Sequence, residues 1–379
     1  MTSLLVVAGE ASGDRAAAAV VGRLSGVDVF GLGGPALASR GAKLVSDLRA
    51  STALGVGEAG SRAFHVVRAW GAVAHAVKRR RPEAALLVDY TEFNARLAPR
   101  LHAAGVRVLW YGAPQIWAWR SDRARHLRPF LDRMAVVLPF EEPLWRRVGV
   151  DAHYVGHPAL ETVPLDRDTA RRLLGMTPYA AAVGIMPGSR PHEVRRLLTP
   201  MLRAFERVRS DRASVDARVL VAPSLDDSTR SWLRGECETH HVSSFDVDPN
   251  VGAFGVLRAF DVALCASGTA SLEAALARAV PVIAYRVGLT TELAARLLVR
   301  AQHIALPNVV LGRRAFVELV QRDARADRMA GALEDALDRH DTLAIACAEV
   351  ENALGGERAP SAAVARMLAP WLGGRASAA

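Results

Sequence analysis

Short apolar runs punctuate the first half of the chain at Leu4–Ala8, Ala85–Asp89, Val106–Tyr111 and Met134–Leu138, and longer segments with helical spacing separate them. Runs of that length without polar alternation suit strands buried on both faces, and the gaps leave room for crossover helices. A second series follows at Ala182–Met186, Arg218–Ala222, Val262–Cys265 and Pro281–Tyr285, alternating with helical stretches such as Val194–Arg209 and Ser271–Arg278. The pattern predicts two α/β units in tandem, each built on a parallel sheet. Tyr154–Arg167 contains Gly156, Pro158 and Pro164, breaks both periodicities and is the expected linker. The expected division is residues 1–163, residues 164–345, and a C-terminal part, 346–379, of helices and a frayed tail that packs back on the first unit or on a partner subunit. Beyond Asn308 the pattern reads as helical to about Leu372.

Composition agrees with this picture. The 379 residues are 51% hydrophobic and 23% charged, enough for sizeable cores and incompatible with a disordered or fibrous chain. Basic residues outnumber acidic ones by 48 to 39, for a net charge of +9; Lys43 and Lys78 are the only lysines, so the excess is arginine. That balance reflects either coding bias or an affinity for phosphates, nucleotides or acidic lipid. Three widely spaced cysteines, Cys237, Cys265 and Cys347, argue against a disulfide framework or a zinc site and for a reducing, cytoplasmic setting. Met1-Thr2-Ser3 runs straight into Leu4–Ala8 without a signal-peptide pattern, and no apolar stretch reaches the ~18 residues of a spanning helix. Any membrane contact is therefore expected to be peripheral.

Candidate chemistry lies where strands end. Ala8-Gly9-Glu10-Ala11-Ser12-Gly13-Asp14 follows the first strand, and its small residues let a ligand approach the backbone. As plain structure the same turn needs only Ser12 or Asp14 as a helix cap. It lacks the G-x-G-x-x-G spacing of a dinucleotide site. Gly31-Leu32-Gly33-Gly34-Pro35, after a further short strand, is either part of the same site or ordinary turn chemistry. Asp89-Tyr90-Thr91-Glu92-Phe93-Asn94 closes a buried strand with two carboxylates and an amide; either Asp89 or Glu92 offers a general base towards a hydroxyl, and Asp89 or Asn94 equally offers a cap. Between Trp110 and Trp119 lie three of the seven tryptophans, Trp117 among them, with Arg120, Arg123, Arg125 and Arg128 following, a cluster suited to a sugar or lipid surface or to core packing.

In the second half, Pro187-Gly188-Ser189-Arg190 ends a strand and opens a helix. Backbone N–H groups and a guanidinium there favour an anion, whereas the bland alternative is a turn capped by Ser189. Glu193 stands four residues after Ser189, not three, so no full capping box is expected. Ser267-Gly268-Thr269-Ala270-Ser271-Leu272-Glu273 repeats the arrangement, and two such turns in one unit suit the two phosphates of a nucleoside diphosphate, with Glu273 in reach of a ribose. Stabilising a departing diphosphate without a metal is the task of a nucleotide-sugar transferase. H-E-x-x-H, C-x-x-C, G-x-S-x-G and Walker-type motifs do not occur, which removes support for metalloprotease, redox, hydrolase and P-loop chemistry. His157, in Val155-Gly156-His157-Pro158, is either structural or a site residue.

These residues together resemble the lipid A disaccharide synthase family, glycosyltransferases of the GT-B type (glycosyltransferase family 19). The resemblance rests on Gly9–Asp14, Gly31–Pro35, Trp117-Ala118-Trp119-Arg120, Pro139-Phe140-Glu141, Val155–Pro158, Pro187–Arg190, Ser267–Glu273, Tyr285-Arg286 and Leu306-Pro307-Asn308, in the family's order over about residues 4–321. It implies two Rossmann-like domains whose parallel sheets face an interdomain cleft. It further implies inverting transfer of 2,3-diacylglucosamine from UDP-2,3-diacylglucosamine to 2,3-diacylglucosamine 1-phosphate (lipid X), giving the β-1,6 disaccharide 1-phosphate of lipopolysaccharide biosynthesis and UDP, with neither metal nor cofactor. On that analogy Glu92 or Asp89, Arg190 and Asn308 act in catalysis. Glu10, Ser12, Gly13, Asn94, Trp117, Arg120, Gly188, Ser189, Ser267, Gly268, Thr269 and Glu273 bind substrate.

Two positions depart from the family pattern. Glu92 stands where Asp-x-Pro-Asp-Phe-Asn has its second aspartate, moving that carboxylate outward by a methylene, and Val317 stands where proline is usual. Acylated substrates imply a cytoplasmic enzyme held peripherally on the inner leaflet of the inner membrane, and a homodimer is compatible. Arg62–Arg81, with Phe64, Val66, Val67, Trp70, Val73 and Val77 and the basic end Lys78-Arg79-Arg80-Arg81, suits either interfacial docking or coverage of the first sheet. A UDP-sugar epimerase and a non-catalytic UDP-sugar or lipid-binding relative are the alternatives. Nucleic-acid binding is not expected, because the basic residues are dispersed.

Overall fold

The computed structural model describes residues 2–47, 59–117, 122–212, 214–249, 251–286, 303–355 and 359–373, with the backbone alone at 47 and 59–65. The chain divides into two compact units, Met1–Glu161 with Gly355–Ala379, and Thr162–Leu354. The first unit thus ends two residues before the expected division. The C-terminal part is split: the helix His340–Leu354 belongs to the second unit, and Pro360–Leu368 returns to the first.

Among its described residues the first unit holds seven strands, β1 (Ser3–Ala8), β2 (Asp28–Gly33), β3 (Lys43–Asp47), β4 (Ala84–Val88), β5 (Arg107–Tyr111), β6 (Arg133–Val136) and β7 (Ala152–Tyr154). They form one parallel sheet in the order β3-β2-β1-β4-β5-β6-β7. The central strands β1, β4 and β5 are nearly continuous apolar runs because both faces are covered. Leu5, Val7, Leu87, Val108 and Trp110 pack with Val73, Phe93 and Leu97 from the helices Ala59–Arg80 and Thr91–Ala103. Their neighbours in sequence, Leu4, Val6, Leu86, Val88 and Leu109, point the other way, onto Ala17 and Val20 of the helix Ala11–Val21 and Val364 and Leu368 of Pro360–Leu368. Each buried leucine or valine contributes about 1.5–3 kcal/mol. Glu161 fastens the returning helix by accepting from Ser361 N (3.1 Å), Ser361 Oγ and Arg23 Nη2 (3.2 Å).

The second unit holds β8 (Ala181–Met186), β9 (Val215–Val221), β10 (Ser243–Asp246), β11 (Val262–Ala266), β12 (Val280–Tyr285) and β13 (Glu318–Val320), parallel in the order β10-β9-β8-β11-β12-β13. Its longest described helix, Pro191–Asp211, starts with proline at its first turn and buries Val194, Leu197, Leu198, Met201, Leu202, Phe205 and Val208, the three- and four-residue spacing of one helical face. All eight expected strands are present. One expectation fails: the stretch after Asn308 is not helical throughout, because β13 pairs with β12, Ile283 opposite Glu318, and Phe316 and Leu319 are buried beside it. Among the described residues no helix is long and apolar enough to cross a membrane.

Candidate active site

In both sheets the strand order reverses beside the first strand: β2 and β4 flank β1, and β9 and β11 flank β8. Such switch points open a crevice at the carboxyl ends of the strands, where α/β proteins bind ligands. The turns singled out in the sequence follow these strands.

In the first unit Val88 pairs with both Ala8 and Tyr111, so Gly9, Asp89 and Gly112 lie side by side along that edge. Gly112 has φ +78°, and a Cβ there would lie 2.1 Å from Asp89 Oδ1. Glycine therefore makes the space that the carboxyl group fills. Asp89 and Tyr90 are both left-handed, with φ of 45° and 41°, a strain of roughly 1–3 kcal/mol each. Three bonds hold the turn: Asp89 N–H to Tyr111 O at 2.9 Å, and Asn94 Nδ2 to Asp89 O at 2.9 Å and to Val88 O at 3.4 Å. Tyr90 stacks on Phe93 at 5.1 Å. Burial first, then the neighbouring Glu10 carboxylate, pushes the Asp89 carboxyl up from 3.8 to about 7. Asp89 is only partly covered, so near neutrality it is a reachable carboxylate poised to take a proton.

Gly13 lies against this group, since its Cβ would be 3.6 Å from Asp89 Oδ2. Glu10 is the exposed N-cap residue of the helix Ala11–Val21 with no side-chain capping bond, and Ser12 is half-buried in the first turn. Neither Ser12 nor Asp14 caps that helix. Asp14 is buried within it and accepts from Gly34 N (2.7 Å), Ala36 N (3.0 Å) and Leu37 N (3.2 Å), so it caps Pro35–Ser39 and ties the two glycine-rich turns together. Proximity in the fold decided this, not spacing in the sequence.

The two candidate carboxylates differ sharply. Glu92, in the first turn of Thr91–Ala103, is 58% exposed and paired with Arg123 at 2.6 Å. Asn94 has no exposed surface and spends its amide hydrogens on backbone carbonyls, so it supports the turn from beneath. Trp110 is core: it is wholly buried, and its Nε1 donates to Gly112 O at 3.0 Å. Trp117 is half-buried, donates from Nε1 to Glu141 Oε1 at 3.1 Å and meets Phe140 edge-on at 5.5 Å. Burial pushes Glu141 up to about 7; its bonds from Trp117, Leu138 and Val137 oppose the shift, and the Asp89 charge adds to it. Burial holds His157 down at about 4, and its Nδ1 accepts from Ala159 N at 3.2 Å, so it is a neutral structural residue. Arg120 and Trp119 lie outside the described residues.

In the second unit Pro187–Arg190 follows β8 and Ser267-Gly268 follows the adjacent β11. Gly188 has φ +124°, and its Cβ would fall 2.6 Å from Glu193 Oε2. Glu193 reaches back to Ser189 N at 3.3 Å and to Arg190 Nη1 at 3.3 Å. Arg190, not Ser189, is the N-cap, which puts Glu193 three residues into the helix and lets it reach back. Ser189 is exposed and Arg190 is 49% exposed. At the second turn Gly268 is the N-cap of Thr269–Leu276, Ser271 Oγ donates to Gly268 O at 2.8 Å, and Ser267, Thr269 and Glu273 are partly exposed. Burial, with Glu193 nearby, raises the Tyr285 hydroxyl, which follows from β12 ending beside this edge.

Asn308 takes a different place from the one expected. It is fully buried, and its amide is saturated: Nδ2 donates to Phe316 O (2.9 Å) and Glu318 Oε1 (2.8 Å), and Oδ1 accepts from Ala315 N and Phe316 N, both at 2.9 Å. Glu318 in turn accepts from Ile304 N and Ala305 N, each at 3.1 Å, and Ser267 Oγ donates to Ile304 O at 3.3 Å. Asn308 thus braces the segment that Ser267 leans on and has no capacity left for a ligand. Glu141, Glu193 and Glu318, which carry much of this scaffolding, were not among the site residues of the sequence reading, which marked Glu141 only within the Pro139-Phe140-Glu141 motif and Glu193 only as a helix-capping candidate spaced wrongly for Ser189. Among the described residues no group of three or more His, Cys, Asp or Glu could hold a metal ion.

A family model described as lipid-A-disaccharide synthetase matches residues 4–362. The chain is 40% identical over 334 residues to the lipid-A-disaccharide synthase of Myxococcus xanthus (strain DK1622), covering 86% of each chain. It is 38% identical over 365 residues to that of Anaeromyxobacter dehalogenans (strain 2CP-C), covering 94% of each. Among solved structures it is similar to a putative UDP-N-acetylglucosamine 2-epimerase from Listeria monocytogenes, with a TM-score of 0.70 at 12% identity, covering 98% of this chain and 97% of that one. It is also similar to MurG of Acinetobacter baumannii, with a TM-score of 0.57 at 12% identity, covering 98% and 100%. At such identities these two structures speak for the GT-B-like fold alone.

Proposed function

Because the chain belongs to the lipid-A-disaccharide synthase family of glycosyltransferases, we propose that it transfers 2,3-diacylglucosamine from UDP-2,3-diacylglucosamine to lipid X with inversion. The observation that carries the mechanism is Asp89, a partly covered carboxyl group at the switch point of the first sheet, poised near neutrality. Asp89 removes the proton from the acceptor 6-hydroxyl as that oxygen attacks the donor anomeric carbon. The bond from that carbon to the diphosphate breaks, and UDP leaves with the electron pair. Arg190 and the turns Gly188-Ser189 and Ser267-Gly268-Thr269 meet the developing charge, and Glu273 faces the ribose. Glu92 is the second candidate base; its exposure and its 2.6 Å pair with Arg123 favour an orienting role instead.

Both substrates are acylated, so we place the enzyme peripherally on the cytoplasmic face of the inner membrane. Val67 is 66% exposed on the helix Ala59–Arg80, which ends in Lys78-Arg79-Arg80 and supports interfacial docking, while Ala69, Val73 and Ala76 of the same helix cover the sheet. The test is incubation of the purified protein with UDP-2,3-diacylglucosamine and lipid X in mixed micelles without divalent metal, following UDP and disaccharide phosphate. Formation of both is expected. A folded, UDP-binding protein that forms no disaccharide would overturn the reading.

A further inference from the structure

Pro139-Phe140-Glu141 has no part in the mechanism above, although it ends in one of the most deeply buried carboxyl groups of the first unit. Glu141, 1% exposed, opens the helix Glu141–Arg147. A carboxylate taken out of water needs donors, and backbone N–H groups alone serve that end at many helix starts. Here Leu138 N–H donates to Oε2 at 3.2 Å, and the second oxygen receives the Trp117 indole N–H at 3.1 Å. The adjacent Glu142 does ordinary structural work, accepting from Tyr154 N at 2.6 Å and pairing with Arg146 at 2.8 Å.

Trp117 is therefore held at two points by consecutive residues: its N–H by Glu141 and its ring by Phe140, at 5.5 Å and an interplanar angle of 85°. A tryptophan has two side-chain torsions, and these two contacts fix both. The ring stays half-buried, on the segment that follows β5 and Gly112, the glycine against which the Asp89 carboxyl rests. A restrained, partly exposed indole whose Glu141 anchor feels the Asp89 charge is suited to form a wall for a sugar ring or an acyl stem.

We infer that Glu141 is a positioning residue of the acceptor site, fixing the plane of the Trp117 indole against which the acylated acceptor rests. The inference rests on the function proposed above. Glu141 acts through Trp117 and touches no reacting atom, so its effect falls on acceptor affinity and not on the chemical step.

The test compares the full-length enzyme with Trp117→Phe, Glu141→Gln, the double variant and Glu142→Gln, measuring acceptor KM and kcat in the micelle assay, lipid X Kd in the presence of UDP, and Tm. Phenylalanine keeps a ring and loses the N–H. Glutamine keeps the volume of Glu141 but offers one acceptor oxygen where the carboxylate offers two to Trp117, Leu138 and Val137. Each single variant is expected to raise acceptor KM and lipid X Kd by about tenfold, the loss of one charge-assisted hydrogen bond, with kcat within about twofold. The double variant should be no worse than the poorer single one, and Glu142→Gln should leave KM unchanged. Multiplicative effects in the double variant, or a Glu141→Gln enzyme with lowered Tm and unchanged KM and Kd, would overturn the inference. If the wild type binds lipid X without turnover, the proposed function fails while the Kd series still decides the role of Glu141; if it does not bind lipid X, both fail.

Discussion

Two carboxyl groups, one in each unit, occupy the space left by a left-handed glycine, and their surroundings are opposite. Asp89 fills the place of a Gly112 side chain, and Glu193 fills that of Gly188. Glu193 is compensated by the Ser189 N–H and the Arg190 guanidinium. Asp89 is half-buried without such help and has Glu10 as its charged neighbour, which leaves it near its protonation threshold. The backbone device is shared; the charges around it decide its use. In the function proposed above, one edge moves a proton and the other receives an anion, with Arg190 exchanging Glu193 for phosphate.

The contrast can be broken from either side. The largest effect is expected from Arg190→Ala, which removes the cation from the second edge: turnover should fall by roughly 10²–10³-fold with Tm unchanged, since the side chain is half exposed. Near-normal turnover would remove Arg190 from the mechanism. Gly112→Ala should act at a distance from any phosphate. Its Cβ would lie 2.1 Å from Asp89 Oδ1, so the carboxyl must move by an ångström or more, and turnover should drop by about 10²-fold while UDP affinity, measured by titration calorimetry, stays as it was.

A smaller effect sharpens the electrostatic half of the comparison. The folded pKa of Asp89, about 7, lies above its ordinary value of 3.8. The native state therefore holds this proton more tightly than the unfolded chain does, and the associated stability, complete below pH 3.8, is lost as pH rises through 7. Asp89→Asn, which never ionises, should melt a few degrees above wild type at pH 8, and that advantage should shrink steadily towards pH 4. An advantage independent of pH would mean that Asp89 is not desolvated.

Much of the fold was legible because both faces of each sheet are covered, which makes the central strands continuous apolar runs. The edge strands were not: Ser243–Asp246, Ala152–Tyr154 and Glu318–Val320 have only three or four residues and carry polar groups, too few for any period to emerge. The positions of the candidate turns were legible for a related reason, since a small-residue turn after a buried strand lies at the sheet edge. Roles were less so. The resemblance assigns Asn94 and Asn308 to substrate binding and catalysis, yet carbonyls of Val88, Asp89 and Phe316 and the Glu318 carboxylate take their amide hydrogens. Glu141 and Glu142 differ only in helical phase, which turns one to Trp117 and the other to Tyr154. The preference for Asp89 over Glu92 likewise comes from burial and from Arg123, a partner 31 residues away from Glu92.

The central claim is that Asp89 is the base of a disaccharide-forming transferase, and the most direct measurement is the single-turnover rate of Asp89→Asn beside Glu92→Gln, each saturated with UDP-2,3-diacylglucosamine and lipid X. The account predicts a loss of about 10²–10⁴-fold for Asp89→Asn, with UDP binding retained, and a loss of less than about tenfold for Glu92→Gln, the scale of one exposed ion pair. A Glu92→Gln enzyme that loses the reaction while Asp89→Asn keeps it would contradict the account and move the base one helical turn outward.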